Sequence, residues 1–501
     1  MGARPNVLVV MADQLTPTAL PFYAKAPTRA PHMAALAAEG VVFDAAYCNF
    51  PLCAPARAAF MTGRLASRVG VYDNAAEFTS ERPTFAHALR RGGYRTILSG
   101  KMHFCGPDQL HGFEERLTTD IYPADFGWTP NWDQPGERPE WYHGMSSVLE
   151  AGPCVRTNQL DYDDEVVFAA ERRLYELVRD ADRRPFFMVV SMTHPHDPFA
   201  IPRAYWERHR AEEVTPPRVV LPPACSDPHS RRVRAAIQVD LTPPSEEQVR
   251  NARRAYYGAI AYVDDQLGRL RRALAATGLD RDTIIVLLSD HGEMLGERGL
   301  WYKMTFFEDA VRIPLVVHAP DRLAPRRVGE AVSSIDLLPT FLELTGTAPM
   351  PTPIEGRSLV PHLEGRAGHD EVLGEYLAET ALAPIVMIRR GRHKFVHSPA
   401  DPDMLFDLAD DPDELVNLAG KPGSAELVAG FRTEIAMRWD LPGLREDVLA
   451  SQRRRRFVFE ALRCGQTTHW DFQPFVDASR RYVRSHLPLD TIEAQARFPR
   501  P

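Results

Sequence analysis

Cysteine is scarce in this chain of 501 residues: there are six, Cys48, Cys53, Cys105, Cys154, Cys225 and Cys464. Their spacing forms no zinc knuckle and no disulfide framework, which fits a reducing compartment. Long hydrophobic runs are also missing, and no stretch approaches the ~20 apolar residues of a membrane span. The run Val7–Ala12 is too short for the core of a secretory signal and leads straight into Asp13. A soluble, cytoplasmic protein is therefore expected. There is no strong excess of charge: the net charge of −8 is spread over intermixed residues, which speaks against a nucleic-acid partner. The one basic run, Arg453–Arg456, reads as a solvated helix face or a subunit contact. No internal repeat is present.

What is present is an alternation of short apolar runs with longer helical patterns, the mark of an α/β protein. At this length one modest core does not suffice, so a large domain and a smaller one are expected. Strands are predicted at Asn6–Met11, Tyr94–Leu98, Phe186–Ser191, Thr283–Leu288 and Ile313–His318. Helices are predicted at Phe85–Arg91, Asp163–Arg179, Glu246–Ala276 and near Ile335–Leu344. These give a large mixed central sheet with helices on both faces. After about residue 370 the texture changes, and Val386–Val396 and Leu405–Leu408 read as strands of a smaller antiparallel sheet. The expected division is a catalytic domain over 1–370, an antiparallel subdomain over 371–440 and a helical extension and tail over 441–501. Thr347–Ile354 reads as a loop, and Pro216–Pro244 as a long broken insertion of the kind that forms a rim or lid.

Polar motifs follow the carboxyl ends of these strands: Asp13-Gln14, Lys101 with His103, His194 with His196 and Asp197, and Asp290-His291. Ligands in open α/β sheets bind along that edge. Asp13, Gln14, Asp290 and His291 form a donor set suited to Ca²⁺ or Mg²⁺, and the imidazole leaves room for Mn²⁺. The alternative for Asp13 and Asp290 is helix capping.

The segment Pro51-Leu52-Cys53-Ala54-Pro55-Ala56-Arg57 carries the frame C-x-P-x-R, followed by an Ala-rich helical run that ends at Gly63. Pro55 is expected to open that helix and Gly63 to close it. Cys53 then sits at a helix N-terminus, where free amides favour an anion.

This frame resembles the signature of type I sulfatases, on the alkaline-phosphatase-like fold. Ser99-Gly100-Lys101-Met102-His103, Trp301-Tyr302-Lys303 and Thr193-His194-Pro195-His196-Asp197-Pro198 stand in the order the family uses. The resemblance implies that Cys53 is converted to formylglycine by the formylglycine-generating enzyme. It also implies one divalent metal, Ca²⁺ ahead of Mg²⁺ or Mn²⁺, held by Asp13, Gln14, residue 53, Asp290 and His291. Arg57 would orient residue 53, Lys101 and Lys303 would grip sulfate, and His103 would assist collapse of the sulfated intermediate. His194 would donate to the leaving oxygen, with His196 its near rival.

The stretch Ser99–Pro130, with Gly70–Glu77, Leu295–Phe307 and the tail Leu487–Arg500, is similar to the choline-sulfatase branch of that family. That implies choline-O-sulfate as substrate, with Trp128, His143, Glu379 and Asp490 around the trimethylammonium group. Asp490 would arrive from a neighbouring subunit, hence a homo-oligomer, dimer or tetramer. Gly144 beside His143, and the context Thr380–Leu382, depart from the branch at the presumed rim. The rival readings are a phosphonate monoester or phosphodiester hydrolase, or an aryl sulfatase, on the same scaffold, and a metal-stabilised protein with unconverted Cys53.

Overall fold

The computed structural model describes residues 4–477, 483–484 and 486–499. Among them, eight strands build the central sheet: β1 (Asn6–Asp13), β2 (Val41–Tyr47), β3 (Arg95–Gly100), β4 (Glu115–Arg116), β5 (Phe186–Pro195), β6 (Thr283–Ser289), β7 (Leu315–His318) and β8 (Arg326–Ser333). The order is β8-β2-β7-β6-β1-β5-β3-β4. Only β7 runs against its neighbours, so the sheet is mixed as expected.

Strands β1, β5 and β6 are apolar on both faces because helices cover both faces. Two of these helices are α1 (Pro31–Glu39) and the next, α2 (Cys53–Thr62). The others here are α3 (Phe85–Arg91), α4 (Asn158–Arg179), α5 (Pro228–Ile237), the long α6 (Glu246–Thr277) and α7 (Leu337–Leu344). Helix α6 begins at a reciprocal Ser245–Gln248 cap and ends at Gly278 with φ 71°. Its Tyr256 hydroxyl donates to Gln14 O at 2.6 Å and accepts from Thr16 N at 3.0 Å. This fixes the turn after β1, where Gln14 has φ 64°.

The smaller sheet is antiparallel, β9 (Glu371–Tyr376), β10 (Ile385–Arg390), β11 (His393–Ser398) and β12 (Asp401–Asp407). Val386–Val396 is therefore not one strand but a hairpin. It turns at Gly391, whose φ of 55° suits glycine. Helix α8 (Ala425–Arg438) covers this sheet, followed by α9 (Leu441–Leu462) and the short α10 (Leu489–Ala496).

The run Arg453–Arg456 is neither a free face nor a subunit contact throughout. Arg453 pairs with Asp133 at 2.6 Å, and Arg455 is buried in a two-pronged pair with Asp73. The insertion at 216–244 contains α5, which braces two loops of the site: His229 Nε2 lies 2.6 Å from Met304 O, and Arg232 Nε donates to Thr380 O at 2.8 Å. Residues 347–354 form a loop. No helix of the described residues is long and apolar enough to cross a membrane.

Candidate active site

Cys53 is the first residue of α2, and all ten residues of that helix are buried. Leu52 precedes it in extended conformation and accepts the first helical bond from Ala56 N at 3.0 Å. Pro55 does not open the helix. It is the third residue, a position whose N–H has no helical acceptor, so proline is tolerated there. Gly63 does close it, at φ 64°. Ala54 N donates out of the helix to Asn74 Oδ1 at 2.9 Å.

Around Cys53 Sγ stand His291 Nε2 at 3.2 Å, Lys101 Nζ at 3.7 Å and Asp13 Oδ1 at 3.9 Å. His103, buried with neither ring nitrogen hydrogen-bonded to a described partner, also faces the thiol. Burial pushes the thiol up, yet Lys101, Lys303 and His291 prevail and hold it well below the ordinary cysteine value. Burial and Cys53 likewise push the Asp13 carboxyl up. Lys101, His196 and Arg57 overcome this and hold it well below the usual carboxylate range.

Arg57 sits one helical turn from Cys53 and spans both acidic strand ends. Its Nε donates to Asp290 Oδ2 at 2.9 Å, and another nitrogen reaches Asp13 Oδ2 at 3.2 Å. It also donates to Ser191 Oγ at 2.9 Å and to Lys101 O. Lys101 in turn pairs closely with Asp13. Two buried carboxylates thus face two buried cations, which satisfies the requirement that interior charge be paired.

The ligand atoms of Asp13, Cys53, Asp290 and His291 all lie within 4.8 Å of one another, and all four residues are buried. Carboxylate oxygens with one imidazole, beside residue 53, fit a single hard divalent cation. The helix-capping alternative for Asp290 fails: its Oδ1 accepts from Gln14 N and from His291 N, both at 3.0 Å, inside the cluster. The Gln14 side chain accepts from Lys303 Nζ at 2.5 Å and donates to buried Glu293.

Lys303 projects from a loop in which Tyr302 and Met304 adopt φ of 69° and 70°. Such positions cost about 1–3 kcal/mol each. The loop is held by Tyr302 N on Glu293 Oε1 at 2.7 Å and Met304 N on Pro51 O at 3.2 Å.

The two histidines at the end of β5 diverge. His196 Nε2 lies 2.8 Å from Lys303 Nζ, and its Nδ1 lies 2.7 Å from Asp197 O. His194 instead bonds Asp163 Oδ2 at 2.7 Å and stacks edge-on against Tyr262 of α6. The structure brings His196, not His194, to the lysine: His194 is held within the strand by Asp163, and His196 lies beyond the strand end, free of its alternation.

An aromatic wall stands over Lys101. Lys101 Nζ is 4.1 Å from the Tyr122 ring centre. Trp128 contacts Tyr122 at 4.9 Å and His103 at 5.6 Å, and lies 6.3 Å from Trp141. His143 stacks on Tyr302 at 4.5 Å and faces Asp197 Oδ2 at 3.4 Å. At position 144 the backbone carbonyl accepts from Tyr302 Oη, at 2.5 Å.

Glu379 is buried, its Oε2 has no described partner, and burial raises its carboxyl to about 8. It lines a cavity of about 350 Å³ together with Trp132, Tyr142 and Arg232. Asp490 does not join this group: it is exposed in the first turn of α10, and beyond it Phe498 approaches Tyr175 of α4 at 6.4 Å. Tyr122, Asp163 and Glu293 escaped the sequence reading, since an aromatic in an irregular loop and acids within a helix or loop carry no local signal.

Residues 5–347 match the family model described as Sulfatase. The chain belongs to the sulfatase family. It is a sulfuric ester hydrolase on the alkaline-phosphatase-like fold. Two further models match this sulfatase: N-sulphoglucosamine sulphohydrolase, C-terminal, over residues 296–439, and Choline sulfatase enzyme C terminal, over residues 446–498. The Choline-sulfatase of Rhizobium meliloti is 48% identical, covering 99% of each chain. The multifunctional alkaline phosphatase superfamily protein PehA of Trinickia caryophylli is 28% identical, over 87% of this chain and 95% of its own. The phosphonate monoester hydrolase of Agrobacterium radiobacter has a TM-score of 0.71 at 26% identity, covering 89% of this sulfatase and 96% of that chain.

Proposed function

We propose that this sulfatase hydrolyses choline-O-sulfate to choline and sulfate. The observation that carries the reading is the group of aromatic rings Trp128, Trp141 and Tyr122 beside Lys101, with the buried Glu379, whose Oε2 has no described partner, in the cavity lined by Trp132 and Tyr142. A trimethylammonium group offers no conventional hydrogen-bond donor, so aromatic faces and a carboxylate are what can hold it. The extent of identity to the Rhizobium meliloti Choline-sulfatase supports the same substrate.

In this reading Asp13, Asp290 and His291, with Gln14 behind them, hold one divalent metal, Ca²⁺ ahead of Mg²⁺ or Mn²⁺. Formylglycine, made from Cys53 by the formylglycine-generating enzyme, supplies with that metal a hydrated aldehyde acidic enough to attack sulfur near neutral pH. Arg57 orients residue 53 and offsets the charge of Asp13 and Asp290. Lys101 and Lys303 bind the sulfate oxygens. His103 takes a proton on the ring edge facing residue 53. His196, its Nδ1 proton held on the Asp197 carbonyl, acts as the acid once it carries a second proton on Nε2, which it gives to the departing alkoxide and so returns to the neutral ring. Trp128, His143 and Glu379 receive the ammonium group. The reading further places the enzyme in the cytoplasm as a homo-oligomer, dimer or tetramer, with Asp490 of one copy entering the pocket of the next; light scattering tests the assembly.

The deciding experiment compares kcat/KM for choline-O-sulfate, p-nitrophenyl sulfate and an aryl phosphonate monoester, using protein co-expressed with the formylglycine-generating enzyme. A strong preference for choline-O-sulfate is expected. A preference for the phosphonate, the reading favoured by the Agrobacterium radiobacter neighbour, would overturn the substrate and leave the scaffold.

A further inference from the structure

Helix α9 and the chain after it reach back onto the loop that carries Tyr122 and Trp128. Arg455 is the centre of this contact. It pairs with Asp73 through two bonds of 2.8 and 2.7 Å and donates to Thr129 Oγ1 at 3.0 Å, next to Trp128. Asp73 adjoins Asn74, which accepts from Ala54 N beside Cys53. One turn earlier, Gln452 Oε1 accepts from Trp132 N at 2.8 Å, and Trp132 Nε1 donates to Ala378 O at 2.9 Å, next to Glu379. Phe459 closes over Gly127, where an added Cβ would come within 3.1 Å of its ring. Farther on, Trp470 packs on Phe126 at 5.1 Å and Asp471 Oδ1 accepts from Ala124 N at 2.9 Å.

Loops with few internal bonds take their geometry from what they pack on. The segment 124–132 is irregular and is tied at both ends and in its middle to residues 452–471. Arg455 and Gln452 are almost fully buried, so the ties are sheltered from water, where bonds to charged groups are strongest. Arg455 and Gln452 make their described hydrogen bonds to Asp73, Thr129, Ser451 and Trp132, not to members of the cluster around Cys53.

Resting on the choline-O-sulfate reading, we propose that helix α9 is a specificity element, in which Arg455 and Gln452 are positioning residues that set Trp128 and Glu379 around the leaving group. The sulfate-binding half of the site is built on the strand ends of the central sheet, on α2 and on the Lys303 loop, and meets α9 indirectly, through Asp73 and its neighbour Asn74. Leaving-group selectivity and sulfate chemistry are then held by separate parts of one chain.

Thr129→Val removes one bond to Arg455 while leaving the Arg455–Asp73 pair intact, and Gln452→Leu releases Trp132. In each variant, kcat/KM for choline-O-sulfate is expected to fall about tenfold through KM, the order of losing one desolvated cation–π contact. The value for p-nitrophenyl sulfate is expected to stay within about twofold. Amide hydrogen exchange over 124–132 should quicken, while that of β1 stays unchanged. Arg455→Lys, which keeps the charge but not the fork, should give the same pattern.

Equal losses on both substrates, following the loss in thermal stability, would reduce α9 to a structural support and overturn the proposal. So would unchanged exchange over 124–132. If the parent enzyme shows no preference for choline-O-sulfate, the substrate reading falls separately. The role of α9 is then decided by the exchange data and by whether Thr129→Val alters the ranking of the substrates that the enzyme does take.

Discussion

Lys303 Nζ lies 2.8 Å from His196 Nε2 and 2.5 Å from Gln14 Oε1. An ammonium can only donate, so Nε2 of His196 accepts and its proton rests on Nδ1, against the Asp197 carbonyl. Gln14, Lys303, His196 and the Asp197 carbonyl therefore share one hydrogen-bonded line. In the proposed reaction a sulfate that takes up the Lys303 ammonium frees Nε2 to bind the proton that it then gives to the leaving group.

From this, His196→Ala should lower kcat for choline-O-sulfate by about 10²–10⁴, the range for a general acid. p-Nitrophenyl sulfate, whose phenolate leaves unaided, should lose much less. His194→Ala should instead lower thermal stability through its lost Asp163 bond and Tyr262 contact, by about 1–3 kcal/mol, with no dependence on the leaving group. Rates over a series of sulfate esters of graded leaving-group pKa separate the two. An equal loss across the series in the His196 variant would remove it from the acid role.

Glu379 gives a pH dependence of definite sign. Burial raises its carboxyl to about 8, so at pH 7 the empty enzyme holds it largely neutral, and it ionises as pH rises through that value. A quaternary ammonium binds the ionised form. kcat/KM for choline-O-sulfate, which reports the free enzyme, should therefore rise as pH rises through about 8, with a limb absent for p-nitrophenyl sulfate. Glu379→Gln should erase that limb and raise KM about tenfold. A limb shared by both substrates would assign it to another group.

Much of this site was legible because the central strands are short apolar runs that announce their ends. Asp13, Lys101 and Asp290 each follow such a run, and parallel strands bring those ends to one edge. The pair His194 and His196 shows the limit. Thr193-His194-Pro195-His196 reads the same whichever ring faces the edge, and the choice is made by Asp163, thirty-one residues away in sequence from His194. The hairpin at Gly391 was missed because Arg389–Lys394 interrupts the apolar pattern too briefly to mark a turn. Arg455 looked solvent-facing among four arginines, since nothing local reveals that Asp73 lies 382 residues away as its partner.

Cys53→Ala should abolish turnover of every sulfate ester, because nucleophile and supporting charges act as a unit rather than by additive shares. The folded state should survive, since the side chain is small and Ala is a good helix former at that end of α2. Circular dichroism and activity on p-nitrophenyl sulfate check both halves. Residual turnover matching the parent would favour the reading in which Cys53 remains an unconverted thiol.

Asp290 is the sharper test of the metal, because Arg57 already pairs with it. Removing the ion leaves Asp13 and Asp290 still facing Arg57 and Lys101, so the chelated protein should stay folded. Its melting temperature should fall, by the equivalent of about 2.7 kcal/mol if the ion was present at a hundred times its dissociation constant. Asp290→Asn keeps the shape but removes a charge from the donor set and from Arg57. It should bind no stoichiometric metal by elemental analysis, show no turnover, and melt at the same temperature with or without chelator. A chelator-dependent melting shift that persists in the Asp290→Asn protein would locate the ion away from this cluster.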